Sequence, residues 1–277
     1  MLDVIHWNPD PQIIEIGAFQ LRWYSLLFAA GFLIGYFVMK RIFDRENLPE
    51  EWLDKLLFYV FIGAIAGARI GHCLFYDYDY YSQHILEIFL PVQFEPEFRF
   101  TGFMGLASHG GAIGIIIALL LFNQRVSKKH WLWIFDRVVV PIALAGAFIR
   151  LGNLMNSEII GKSADVPWAF VFEKIDQIPR HPVQLYESIS YLLFFFLLWW
   201  MYSKRNAGAY KGRIFGVFLI VLWGIRFLLE YFKRSQGGLE EYFGQSLSTG
   251  QLLSIPFILI GFGLLFAYRG KKYPGYS

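Results

Sequence analysis

The chain has 277 residues, of which 56% are hydrophobic and only 17% charged, with a mean hydropathy of +0.43. Soluble domains carry nearer a quarter charged residues, so composition excludes a soluble domain, and several apolar runs of roughly 20 residues make this a polytopic membrane protein. A net charge of +3 without a long basic run excludes nucleic acid as a partner and suits anionic lipid headgroups. The single cysteine, Cys73, allows no disulfide and no thiolate metal cluster, and an apolar setting makes it a poor nucleophile.

Taken in order, residues 1–17 have no basic start followed by an apolar core, so they do not read as a cleaved signal peptide. Apolar patterning predicts an all-α membrane domain with seven transmembrane helices, near 21–40, 56–75, 103–123, 131–153, 186–203, 213–232 and 250–268. Lysine and arginine are richer in the short connections after the first, third, fifth and seventh spans. Those connections are therefore assigned to the cytoplasm, with the N-terminus outside and the C-terminus inside. No repeat or linker divides 1–277, which reads as a single integral membrane domain. Charges and prolines interrupt 77–100, which reads as an interfacial arm. The segment 157–185 carries Pro167, Pro179 and Pro182 and reads as a small extracytoplasmic head.

The second span holds Gly63, Gly67 and Gly71, a small-residue ridge for close helix packing, and Arg69, a charge in an apolar run that needs a partner. The third span opens SHGGAIG. Here His109 is either bonded to a backbone carbonyl or a titratable group at a ligand, and Gly110 and Gly111 suggest a close approach. Asp136 and Arg137, near the start of the fourth span, read as a local ion pair or as snorkelling side chains. At the other end of that span runs GAFIRLGNLMNSEIIG, residues 146–161. Gly146, Arg150, Asn153 and Asn156 share one helical face there, with Glu158 close behind. Arg150 pairs with a buried carboxylate, snorkels to the interface, or donates to an anionic ligand. Arg226 and Glu230 lie four apart in the sixth span, either as an intrahelical salt bridge or with Glu230 aiming Arg226 at a phosphate.

With Tyr24 of RWYS, these groups fall in the outer half of five helices. The inner half is mostly apolar. This distribution favours a cavity open to the outer leaflet over a through-membrane path. A lipid flippase or a non-catalytic lipid-binding scaffold would use the same arginines, but a flippase would need polar groups across the full thickness.

RWYS, GARIG at 67–71, HGGAIG at 109–114, the 146–161 stretch, HPVQLYE at 181–187 and the Arg226/Glu230 pair together resemble the prolipoprotein diacylglyceryl transferases, in order and over nearly the whole chain. The resemblance implies a transferase that moves the diacylglyceryl group of phosphatidylglycerol to the lipobox cysteine of prolipoprotein signal peptides and releases glycerol 1-phosphate. It implies a bacterial inner-membrane protein acting in the first step of lipoprotein maturation. His109, Arg150 and Arg226 are then the expected catalytic residues. Arg150, Asn153, Asn156, Glu158, Gly161, Tyr24 and Glu230 would bind phosphatidylglycerol, while Arg69, Gly110, Gly111, His181, Gln184 and Tyr186 would support the site. No metal and no cofactor is expected.

Overall fold

A computed structural model describes residues 4–16, 19–90, 92–94, 97–100, 105–234 and 247–275. Seven of its helices are long and apolar enough to cross a membrane, and each coincides with an expected span. The expected start of the third span, at 103, lies outside the described residues; that span runs over His109–Ser127. The fold is the expected helical membrane fold, and among the described residues seven strands of two to five residues accompany the helices. The chain divides into two compact units, residues 1–42 with 135–277, and residues 43–134.

The first unit contains α1 (Trp23–Arg45), α6 (Leu132–Met155), α7 (Val183–Lys204), α8 (Arg213–Leu229) and α9 (Thr249–Ala267), with the boundaries cutting α1 and α6 near one end. Of the seven spans α6 is the most buried. Glycines set how closely its neighbours approach. A Cβ on Gly31 of α1 would stand 2.9 Å from Phe148 Cβ, and one on Gly146 would stand 3.2 Å from the Tyr191 ring of α7. Helix α9 begins with a reciprocal cap, Ser248 Oγ accepting from the Gln251 amide while Gln251 Oε1 accepts from the Ser248 amide.

The segment between α6 and α7 is folded. Strands β1 (Ile5–Trp7), β6 (Phe170–Phe172) and β7 (Pro179–Arg180) form one sheet in the order β1-β6-β7, parallel then antiparallel. Leu154, Ile160, Phe170 and Phe172 form its core, with Trp7 packed against them and donating its indole N–H to the Leu154 carbonyl at 3.0 Å. A hairpin of β2 (Gln12–Ile16) and β3 (Phe19–Arg22) leads into α1.

For Asp136 and Arg137 the structure removes one of the two readings, snorkelling, and leaves the local ion pair. Both are fully buried, and neither is a snorkelling side chain. Asp136 accepts from the backbone amides of Gly212 and Phe215, each at 2.8 Å, and from Tyr273 Oη at 2.5 Å. It thus caps the start of α8 from another helix. Arg137 donates to the Gly208 carbonyl at 3.0 Å. Asp136→Asn removes the charge that three donors share and is expected to cost about 3 kcal/mol, read as a lowered melting temperature in detergent.

The second unit contains α2 (Glu50–Phe75), the short helices α3 (Tyr78–Gln83) and α4 (Ile85–Phe89), a hairpin of β4 (Val92–Gln93) and β5 (Arg99–Phe100), and α5 (Ser108–Phe122). The glycine ridge of α2 meets Gly110 and Gly114 of α5. A Cβ on Gly67 would meet the Gly110 carbonyl and stand 2.7 Å from Gly114 Cα; one on Gly71 would stand 2.7 Å from Gly110 Cα. Gly110 is therefore needed for helix packing. Gly67→Ala must push two backbones apart, and we expect a loss of about 1–3 kcal/mol in the thermal stability of the purified protein.

Candidate functional site

The expected face of α6 looks onto α7. One turn after Gly146 on the Tyr191 ring, the Arg150 side chain meets Glu187, a carboxylate with no exposed surface. Arg150 Nε lies 2.9 Å from Glu187 Oε2, and Lys233 Nζ lies 2.9 Å from the other oxygen. Neither contact is aligned as a hydrogen bond, so these are charge contacts. Lys233 also reaches Glu230 Oε2 at 3.1 Å. A buried carboxylate with two cations satisfies the requirement that an ionised group inside a membrane be paired. Arg150 therefore has the buried carboxylate partner that is one of its readings from sequence.

The network continues beyond the end of α6. Arg150 Nη1 donates to Asn153 Oδ1 at 3.2 Å, and Asn153 Nδ2 donates to Glu158 Oε2 at 2.9 Å. Asn156 Nδ2 donates to the other Glu158 oxygen at 3.0 Å. Gln184 at the start of α7 donates to the Glu158 carbonyl at 2.6 Å. Ser157 and Ile159, on either side of Glu158, both have φ of +55°. A β-branched residue rarely adopts that conformation, and such residues cost roughly 1–3 kcal/mol each. The strain turns the chain sharply enough to bring the Glu158 carboxylate back to both asparagines.

Gly161 closes the turn. Its Cα sits against His181, where a Cβ would stand 2.8 Å from the His181 Cβ, and its backbone bridges to Lys233. The Lys162 amide donates to the Phe232 carbonyl, and the Arg234 amide donates to the Ile160 carbonyl. These bonds carry Lys233 from the end of α8 to Glu187. His181 packs edge-on to Phe232 at 5.0 Å, its Nδ1 is 3.1 Å from Tyr186 Oη, and Tyr186 accepts from the Trp168 indole at 2.7 Å. His181, Gln184 and Tyr186 thus pack and hydrogen-bond around the turn.

Burial holds the His181 imidazole below its ordinary pKa of 6.5. The folded state therefore binds this proton less readily than the unfolded one. The contribution of neutral His181 is full above about pH 6.5 and is lost as pH falls through the lowered folded value. Melting temperatures of wild type and His181→Gln are expected to diverge less at pH 5 than at pH 7.5.

Arg226 is different from the other two cations. Among the described residues it has no carboxylate partner. The intrahelical bridge to Glu230 is absent, because α8 tightens into a 3-10 turn over Glu230–Phe232 and Glu230 pairs with Lys233. The guanidinium lies 5.4 Å from the Trp223 ring, and its buried Nε has no acceptor. Tyr191 lies within electrostatic reach of Arg150, Glu187 and Arg226, so α6, α7 and α8 contribute to one polar cluster. Gly250 of α9 leaves room for Glu230: a Cβ there would lie 2.6 Å from Glu230 Oε2. Tyr24 of α1 packs its ring on Gly152, where a Cβ would stand 2.7 Å away.

His109 and Arg69 belong to the other unit. His109 is exposed at the first turn of α5. Arg69 is buried and finds its partners in the arm: it donates to the carbonyls of Glu87 at 2.6 Å and Ile88 at 3.2 Å, and faces the Tyr81 ring at 4.7 Å. Gly111 makes only ordinary contacts with Ala64 and Ala68. Sequence reasoning missed Glu187, Lys233, Tyr191 and Gly250. An acidic residue in the first turns of an apolar helix is the signal that marks Glu187.

A family model described as prolipoprotein diacylglyceryl transferase matches residues 11–267. The chain is 46% identical over 269 residues to the phosphatidylglycerol–prolipoprotein diacylglyceryl transferase of Tolumonas auensis, covering 97% of this chain and 99% of that protein. It is 43% identical to the protein of the same name from Bacteroides fragilis, covering 97% and 96%. To that from Nitrosospira multiformis it is 37% identical, covering 96% and 89%.

Proposed function

The chain belongs to the prolipoprotein diacylglyceryl transferase family, and from that premise we propose that it transfers the diacylglyceryl group of phosphatidylglycerol to the lipobox cysteine of a prolipoprotein. The observation that carries the site assignment is Arg226, a cation inside a membrane-length helix with a buried N–H and, among the described residues, no acceptor, on the same unit as Arg150. A charge in that setting is favourable when an anion faces it. The phosphodiester of phosphatidylglycerol is such an anion.

In the reaction the cysteine sulfur attacks the glycerol carbon that carries the phosphate ester. A C–S bond forms and the C–O bond breaks. The electron pair leaves with the phosphate oxygen as glycerol 1-phosphate, and the thiol proton goes to a base or to water. The departing phosphate gains negative charge, and Arg226 and Arg150 stabilise it where water is scarce. Glu187 and Lys233 fix Arg150, and Asn153, Asn156 and Glu158 order the turn that presents it; Tyr24, Gly161 and Glu230 complete the headgroup site. His109 is the candidate base, since only the thiolate is a good nucleophile.

The whole chain acts as one membrane domain in the bacterial inner membrane. Its N-terminus and head face outward, its lysine-rich and arginine-rich connections face the cytoplasm, and its site opens to the outer leaflet. The test is release of glycerol phosphate from phosphatidylglycerol by the purified protein with a lipobox peptide. Release is expected with the cysteine peptide and absent with its serine counterpart; equal release with both would mean lipid hydrolysis instead. His109→Gln should lower the rate at neutral pH and lose less at high pH, where the thiol ionises unaided.

A further inference from the structure

At the far end of the first unit, the last turns of α7, the start of α8 and the end of α9 enclose a cavity of about 490 Å³. Arg205, Lys211, Arg213 and Arg269 line it, and among the described residues no carboxylate does. Leu197, Met201, Val217 and Leu265 supply apolar walls. The cavity lies toward the other end of α7 from Glu187, its nearest lining residue Leu197 being ten residues or roughly 15 Å along the helix, and so is separate from the Arg150 cluster.

The loop that carries these cations is tied down. Ala207, Gly208 and Ala209 are buried in a 3-10 turn, and the Gly208 carbonyl accepts from Arg137. The Lys211 amide donates to the Lys271 carbonyl, and the Tyr273 amide donates to the Ala209 carbonyl. Two guanidiniums are held on rings, Arg213 at 3.9 Å from Tyr210 and Arg205 at 4.8 Å from Trp200. Ring contacts orient a guanidinium without neutralising it. Loop cations that serve only to orient a membrane protein need no shared cavity and no apolar wall.

We propose that this cavity binds the headgroup of an anionic phospholipid from the leaflet opposite the transfer site, with acyl chains lying on the Leu197 and Leu265 side. Four cations without a carboxylate match phosphate charge, and basic pockets between membrane helices take such headgroups. The apolar walls favour a lipid over free phosphate.

The test is native mass spectrometry of the detergent-purified full chain titrated with tetraoleoyl cardiolipin, whose two phosphates can engage all four cations. Dioleoylphosphatidylcholine and inorganic phosphate serve as comparisons. Wild type should retain cardiolipin in preference to phosphatidylcholine. Affinity should fall about fivefold in Arg269→Gln, an exposed change that leaves the ring contacts intact, and about 25-fold in Arg205→Gln/Arg213→Gln. Arg226→Gln should bind cardiolipin as wild type does. Unchanged affinity in both charge variants, or equal retention of phosphatidylcholine, would overturn the proposal. So would displacement of cardiolipin by millimolar phosphate, which would make it a free-anion site, or loss of binding in Arg226→Gln alone, which would place the lipid at the transfer site.

Discussion

Arg226→Gln is expected to fold as well as wild type and to lose about 10³-fold in kcat/KM for diacylglyceryl transfer. The two halves of this result have one cause. Among the described residues no carboxylate neutralises Arg226, so its charge is available to an incoming phosphate. Removing it relieves the helix of an unpaired cation and removes a donor from the departing phosphate. Steady-state transfer kinetics with a melting curve of the same preparation test both halves. Activity within tenfold of wild type would remove Arg226 from the site. A collapsed melting temperature would mean that it is structural after all.

Glu187→Ala should behave in the opposite way. Its carboxylate is completely buried and holds Arg150 and Lys233, each at 2.9 Å. Deleting it leaves two cations facing an apolar gap, at a cost of about 3–5 kcal/mol. In a chain of this size that is about 10 °C in melting temperature. Transfer activity falls as well, because Arg150 loses the group that fixes it. Glu187→Gln retains the volume and isolates the charge term, so it should recover little of the stability. A Glu187→Ala melting temperature within a degree or two of wild type would show that the buried pair contributes nothing to the fold.

These two residues mark how far the sequence could be read. Seven spans were legible because about 20 apolar residues in a row have few alternatives in water. The glycine ridge of α2 was legible as packing, and its partner on α5 was not, because small residues report closeness without naming the neighbour. The short strands escaped notice since two to five residues cannot establish an alternating pattern. At the site, Arg150, Asn153 and Glu158 stand in one stretch of chain, so their nearness was legible from spacing, while the hydrogen bonds that join them needed the structure. Glu187 is contributed by a separate helix whose rotation no local pattern sets, so the partner of Arg150 needed the fold. The Arg226 and Glu230 spacing suggested a bridge only while α8 was taken as regular to its end. The 3-10 turn at Glu230 re-aims that carboxylate to Lys233 and leaves Arg226 open.

The most direct measurement is the mass of the lipobox peptide after incubation with purified protein and phosphatidylglycerol, alongside the glycerol phosphate released. The account predicts a peptide heavier by one diacylglyceryl group, bound through the cysteine sulfur, and one glycerol phosphate per modified peptide. In Arg226→Gln both products should fall together. A protein that bound phosphatidylglycerol and left the peptide mass unchanged would contradict transfer and favour a lipid-binding or lipid-moving role for the same arginines.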